Sequence, residues 1–194
     1  MREMIKLFVI VTLFSAISGG LLATVKSATQ ERIELQQLTY VKGPAITQIL
    51  EGCTNNPIED RFKLNHSGSS IDFFIGEFDG KRNTIAFENY GKGFGGNMGV
   101  MVAINTDTDQ ITGIGITTHS ESPGIGSRAK TDPAFSRQFK GMSIDSAFRV
   151  KADGGDIDAI SGATVTSRGV SGAVAEVVEI YKRLKNEILK NVQG

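Results

Sequence analysis

From Leu7 to Val25 the chain runs 19 residues, LFVIVTLFSAISGGLLATV, without a charge. A helix over that run would be roughly 28 Å long at about 1.5 Å per residue, close to the hydrocarbon thickness of a bilayer. Such a helix has no polar face to offer water, so it requires lipid or a deep core around it. Arg2 and Lys6 precede it, and positive residues tend to stay on the cytoplasmic side. The run predicts a single-pass anchor over residues 1–26 in the inner (cytoplasmic) membrane. Residues 27–194 are then expected on the periplasmic, extracytoplasmic side. A cleaved signal peptide is the rival reading, with ATVKSA as a weak cleavage site. Lys26 sits awkwardly in it, and the apolar run is long for a signal peptide.

Beyond the anchor the composition is that of a globular domain. Setting aside Arg2, Lys6, Lys26 and Glu3, 18 basic and 20 acidic residues remain. With no basic excess and no Lys/Arg-rich run, nucleic acid is not an expected partner. The chain has 23 glycines and only 4 prolines, which favours β-structure with many turns over a helical bundle. One cysteine, Cys53, and two histidines, His66 and His119, are too few for a zinc or iron–sulfur site made by this chain alone. Cys53 reads as buried filler.

The patterning of the body predicts one α+β domain with an antiparallel sheet and flanking helices. Ser27 to Leu38 is polar and helical in character. GPAITQILEG reads as a short helix with Pro44 near its first position and Gly52 past its end. IDFFIGEFDGKRNTIAFENY offers two strands around an Asp79–Gly80 turn. Met98 to Asn105 is apolar on both faces, as a central strand would be, and Ile111 to His119 forms the next strand. There Gly113 and Gly115 share one face, which suits the close packing of a helix or, less readily, a flat ligand. In TDPAFSRQFKG, Asp132 is the expected N-cap, Pro133 the first helical residue and Gly141 the stop. Phe148 to Ala152 is expected to be a further strand, closed by the turn DGGD. Arg168 to Lys190 carries apolar residues at helical spacing, from Val170 through Ile188.

Just ahead of that last helix lies DAISGATVTSRG, residues 158–169, with four hydroxyl side chains: Ser161, Thr164, Thr166 and Ser167. Thr166 or Ser167 is a natural N-cap. The first-turn amides of a helix lack helical partners and carry partial positive charge, a setting that suits a phosphate. Gly162 and Ala163 leave the approach to the Thr164 hydroxyl open. Capping alone accounts for one hydroxyl or two, not for all four.

The segment DAISGAT, Asp158 to Thr164, resembles the covalent-flavinylation motif of the FMN-binding domain family. GKGFGGNMGVMVAIN and ITTHSESPGIGSR are similar to the family's glycine-rich strand approach and its His-x-Glu-x-Pro-Gly loop. Ser122 stands where the family usually has Thr. Within the family, the size of the chain and its one anchor are similar to the G-type subunits of Rnf ion-translocating ferredoxin:NAD oxidoreductase complexes.

The resemblance implies FMN attached through its phosphate to Thr164, with Asp158, Ser161, Gly162 and Ala163 as the frame recognised by a flavin transferase. It also implies Glu121, Gly124 and nearby amides beside the flavin ring or ribityl chain. Thr166 and Ser167 would at most donate to the phosphate. The implied role is an electron relay inside a membrane complex of several subunits. The protein would work as a component of an oxidoreductase rather than as an enzyme alone. Two flavin-carrying alternatives are a regulatory or assembly protein with the same domain and the C-type subunit of a sodium-pumping NADH:quinone reductase, for which this chain is short. A third is an anchored, non-redox module whose phosphate pocket holds a free nucleotide.

Overall fold

The computed structural model describes residues 1–193, in two compact units divided between Thr39 and Tyr40. The first is one helix, α1 (Arg2–Gln36), continuing past the apolar run into polar sequence. Its apolar stretch is exposed on every side, and it is long and apolar enough to cross a membrane. A π-helical turn, Gln37–Lys42, follows.

The second unit opens with α2 (Gly43–Ile49), which has Pro44 in its first turn as expected. Then come β1 (Arg61–His66), β2 (Ser69–Phe78), β3 (Lys81–Lys92), β4 (Asn97–Asn105) and β5 (Gln110–Ile116). They form one antiparallel sheet in sequence order. Asp79 and Gly80 both adopt positive φ, 53° and 73°, in the two-residue turn between β2 and β3. That double left-handed turn matches the twist of a hairpin. Short helices α3 (Arg128–Thr131) and α4 (Pro133–Arg137) follow, then the long α5 (Thr164–Gln193). Asp132 caps α4, its carboxylate accepting from the Ala134 amide at 3.0 Å.

Register decides which residues share a face. Ile85 lies opposite Ile75 and Ile104, Phe87 opposite Val102, and Val102 opposite Ile114. This face packs against Val170, Ala173, Val174, Val177 and Tyr181 of α5, all essentially inaccessible to solvent. The other face presents Phe74, Ala86, Met101 and Ala103, buried with Ile46 and Leu50 beneath α2. Gly113 and Gly115 lie under α2: a Cβ at either would meet Ile49, and one at Gly115 would meet Ala45 too. Close helix packing, not a flat ligand, uses that glycine pair.

Three sequence expectations need correction. Phe148 to Ala152 is not a strand. Val150 makes only an isolated bridge to Ile157, and Lys151–Asp153 is a 3-10 turn. The amide of Lys151 donates to Ile157 and that of Ile157 to Arg149, so this loop satisfies its own backbone and has no need of a sheet neighbour. β5 ends at Ile116 rather than His119, and α5 begins at Thr164 rather than Arg168. Strand β1 went unread. The alternation of polar and apolar residues in RFKLN and the Ser67–Gly68 pair were the signals available. Cys53 is half-buried, its thiol 3.4 Å from the Asn55 carbonyl.

Two contacts fix α5. At its N-terminal end the helix backbone meets β3 so closely that a Cβ on Gly91 would stand 2.0 Å from the Gly169 carbonyl oxygen. Further along, the Tyr181 hydroxyl and the Lys185 ammonium both donate to Asp109, each at 2.8 Å to one oxygen, in the turn between β4 and β5. Burial pushes the Asp109 carboxyl up, but hydrogen bonds from Lys185 and Tyr181 outweigh it and hold the group below its ordinary value.

Gly91→Ala should therefore cost about 1–3 kcal/mol of stability through overpacking. Gly172→Ala, on an α5 surface with nothing within 4 Å, should instead gain up to about 1 kcal/mol. Urea denaturation of the detergent-solubilised chain compares the two. Because the folded Asp109 is more acidic than the unfolded, its contribution is complete above the ordinary value of 3.8 and is lost as pH falls through the lowered one. Asp109→Asn should remove about 1 kcal/mol at neutral pH, the low end for charged hydrogen bonds because the site is partly solvated. It should also flatten the acid limb of a stability–pH curve.

Candidate functional site

The chain turns into α5 through Ile160–Ala163. Gly162 takes φ of 78°, and the Ala163 amide donates to the Ile160 carbonyl at 2.9 Å. Ser167 makes the first helical bond, donating from its amide to Ala163 at 3.0 Å. The amides of Thr164, Val165 and Thr166 therefore precede the helical ladder and are available to an anion.

The expectation that Thr166 or Ser167 caps the helix is corrected here. Both lie inside the first turn and are buried. The Ser167 hydroxyl accepts from the Ile160 amide and donates to the Ala163 carbonyl, each at 3.0 Å. It stitches the incoming loop to the helix and is not aimed at a ligand. The cap position falls to Ala163, which has no side-chain acceptor.

Thr166 donates to Glu121 Oε2 at 2.6 Å, and the other oxygen, Oε1, accepts from the Gly95 amide at 2.9 Å. Glu121 is itself buried. One carboxylate thus joins the glycine-rich loop after β3, the loop after β5 and the first turn of α5. The surrounding glycines follow from it. A Cβ on Gly93 would lie 2.2 Å from one carboxylate oxygen, and one on Gly126 would lie 2.3 Å from the other. His119 serves the same loop, its Nδ1 accepting from the Glu121 amide at 3.3 Å.

These three segments enclose a cavity of about 450 Å³ lined by Phe94, Glu121, Ser122, Ile125, Gly126, Gly162, Ala163, Thr164, Val165 and Thr166. Five of the expected site residues, Glu121, Gly162, Ala163, Thr164 and Thr166, meet in its wall. Thr164, half-buried, opens α5 there. Asp158, Ser161, Gly124 and Ser167 do not line it. Asp158 is exposed and paired with Lys151 at 2.8 Å, its amide donating to the Gln138 side chain at 2.7 Å.

Sequence reading missed Phe94, Ile125 and Val165, which are 77%, 51% and 45% exposed. Three apolar side chains held open around one cavity suit a flat aromatic ligand better than a polar one. Each sits between small or hydroxyl residues, in GFG, GIG and TVT, and that contrast was the signal available. The chemistry on offer is divided in space: amides without helical partners and the Thr164 hydroxyl at the helix start, and an apolar wall beside them. An FMN phosphate and ring system fit that division. Among the described residues, no group of three or more His, Cys, Asp or Glu is placed to hold a metal.

The model of the FMN-binding domain family matches residues 93–179. Over 180 residues the chain is 29% identical to the G-type subunit of the ion-translocating oxidoreductase complex of Methanosarcina acetivorans, covering 92% of this chain and 94% of the relative. Its counterpart from Shewanella oneidensis is 29% identical over 199 residues, covering 96% and 93%. Among solved structures, Shewanella oneidensis NqrC is similar at a TM-score of 0.54 and 26% identity, over 71% of this chain and 72% of that one. The C-type subunit of the Na(+)-translocating NADH-quinone reductase from Parabacteroides distasonis is similar at 0.50 and 26%, over 64% of each chain. The family match contains the whole lining of the cavity, from Phe94 to Thr166. With its five-stranded antiparallel sheet, its flanking helices and the cavity at the start of α5, the chain is similar to the FMN-binding domain family over residues 93–179.

Proposed function

We propose that this protein is the flavin-carrying, electron-transferring G-type subunit of an ion-translocating oxidoreductase complex, with FMN joined to Thr164. The observation that carries the attachment is the position of Thr164: the first residue of α5, in the cavity wall, beside first-turn amides that lack helical partners. The two hydroxyls that follow are committed to Glu121 and to the Ile160–Ala163 loop. The third, on Thr164, has no protein partner among the described residues.

Attachment requires a flavin transferase acting on FAD. The threonine oxygen forms a new ester bond to the FMN phosphorus as the pyrophosphate bond breaks, AMP leaves, and the hydroxyl proton is released. Once bound, a flavin can accept and donate electrons one or two at a time. The protein's part is placement. First-turn amides and the α5 dipole favour the ester's negative charge, Phe94, Ile125 and Val165 offer an apolar wall, and Gly126 and Gly162 keep the approach clear.

The relatives that match along nearly the whole chain are G-type subunits, whereas the C-type structures overlap about two thirds of it, so the G-type reading is favoured. In that role α1 holds the domain at the inner membrane. Arg2 and Lys6 favour a cytoplasmic N-terminus and a periplasmic body. Other subunits of the complex supply and receive the electrons.

Full-length chain produced with a flavin transferase should fluoresce in a denaturing gel under ultraviolet light, and Thr164→Ala should be dark. Mass spectrometry should find the tryptic peptide 152–168 heavier by FMN less one water. Equal fluorescence from both chains, or an unmodified peptide from a fluorescent band, would overturn the assignment. Fluorescence that disappears on denaturation would instead point to a free nucleotide.

A further inference from the structure

We infer that Glu121 is a fixed negative charge that holds the reduction potential of the cavity's flavin down, an inference that rests on the function proposed above. Of the residues lining the cavity, Glu121 alone is ionisable. It is buried, and it receives hydrogen bonds from two protein donors, one per oxygen. The Gly95 amide can only donate. The 2.6 Å separation from the Thr166 hydroxyl lies in the range of a hydroxyl donating to an ionised carboxylate. The geometry therefore describes a carboxylate, held by neutral donors, with no cation in the cavity wall to balance it.

The positive end of α5 offsets that charge only in part. Glu121 takes the Thr166 side chain and leaves the first-turn amides unused. Those amides serve the phosphate, so the carboxylate's field falls on whatever occupies the rest of the cavity. Adding an electron near a fixed negative charge is unfavourable, and because Glu121 is itself buried, water screens its field less than that of a surface carboxylate. Glu121 acts through this field and through the shape of the cavity. It is a positioning and tuning residue, not a reacting one.

Glu121→Gln removes the charge and keeps the shape: the Gln carbonyl can accept from Gly95, and its amide can donate to Thr166. Thr166→Val keeps the charge and removes one of the donors that stabilise it. Both variants and the parent are made at full length with covalent flavin, checked by gel fluorescence, and titrated with dithionite and mediator dyes while flavin absorbance is recorded. Glu121→Gln should shift the reduction equilibrium at least tenfold toward the reduced form. That is a rise in midpoint of 59 mV for a one-electron couple or about 30 mV for a two-electron couple. Thr166→Val should move the midpoint the other way.

Equal or lowered midpoints in a Glu121→Gln protein that carries flavin would overturn the inference. If that variant fails to load, the Thr166→Val titration decides: a lowered midpoint supports the inference, and an unchanged or raised one overturns it. Failure of the underlying reading looks different, since the parent itself would then carry no covalent flavin to titrate.

Discussion

The candidate site depends on one buried carboxylate. Glu121 joins three segments that are distant in sequence: Gly95 after β3, its own loop after β5, and Thr166 in the first turn of α5. Burying a charge costs several kcal/mol unless hydrogen bonds replace the lost water. Here each oxygen has its own donor, and the neighbouring glycines allow the backbone close enough to supply them. The order of cause runs from the carboxylate to the loops. Gly93 and Gly126 must lack a Cβ because the carboxylate oxygens occupy that space, and the cavity takes its shape from loops drawn to one point.

The carboxylate needs a rigid partner, and α5 supplies it. The helix is fixed along its apolar face by the sheet, near its start by backbone packing between Gly91 and Gly169, and near its middle by Tyr181 and Lys185 on Asp109. Burial pushes the Tyr181 phenol well above its ordinary value, with the Asp109 hydrogen bond adding to the effect, so it remains a hydroxyl donor. A helix restrained over several turns holds the Thr164 oxygen and the first-turn amides in a fixed relation to the loops opposite. The sheet thus sets the position of the site, although no strand residue lies in the cavity wall.

Much of this was legible in the sequence where a local signal matched the final environment. The β2–β3 hairpin follows from Asp79–Gly80, the central strand β4 from its apolar run, and the body of α5 from its periodicity. The stretch DAISGAT drew attention as well, through its likeness to a family, and four of the residues in and just after it, Gly162, Ala163, Thr164 and Thr166, line the cavity. What escaped depends on contacts across the fold. Thr166 and Ser167 look like helix caps in sequence because hydroxyls commonly cap. Their real partners are 45 residues away for Thr166 and a loop stitch for Ser167. Asp158 looks as if it belongs to the cavity because it opens the motif, yet it pairs with Lys151 on the surface. Phe94 resembles an ordinary loop aromatic until the fold places Ile125 and Val165 around the same cavity.

Under the proposed function, the open wall and the covalent bond answer one another. Phe94, Ile125 and Val165 remain largely or half exposed, so burial against them can contribute only part of what full enclosure would give. A ligand held by that wall alone would exchange with solvent. A deeper pocket would hold it better, but would also interpose protein between the flavin and the subunits with which it trades electrons. An ester at Thr164 separates the two requirements: retention rests on a bond at the helix start, and the wall needs only to orient the ring. The exposed apolar side chains, otherwise a liability on a domain surface, are then what an electron-transfer site must leave uncovered.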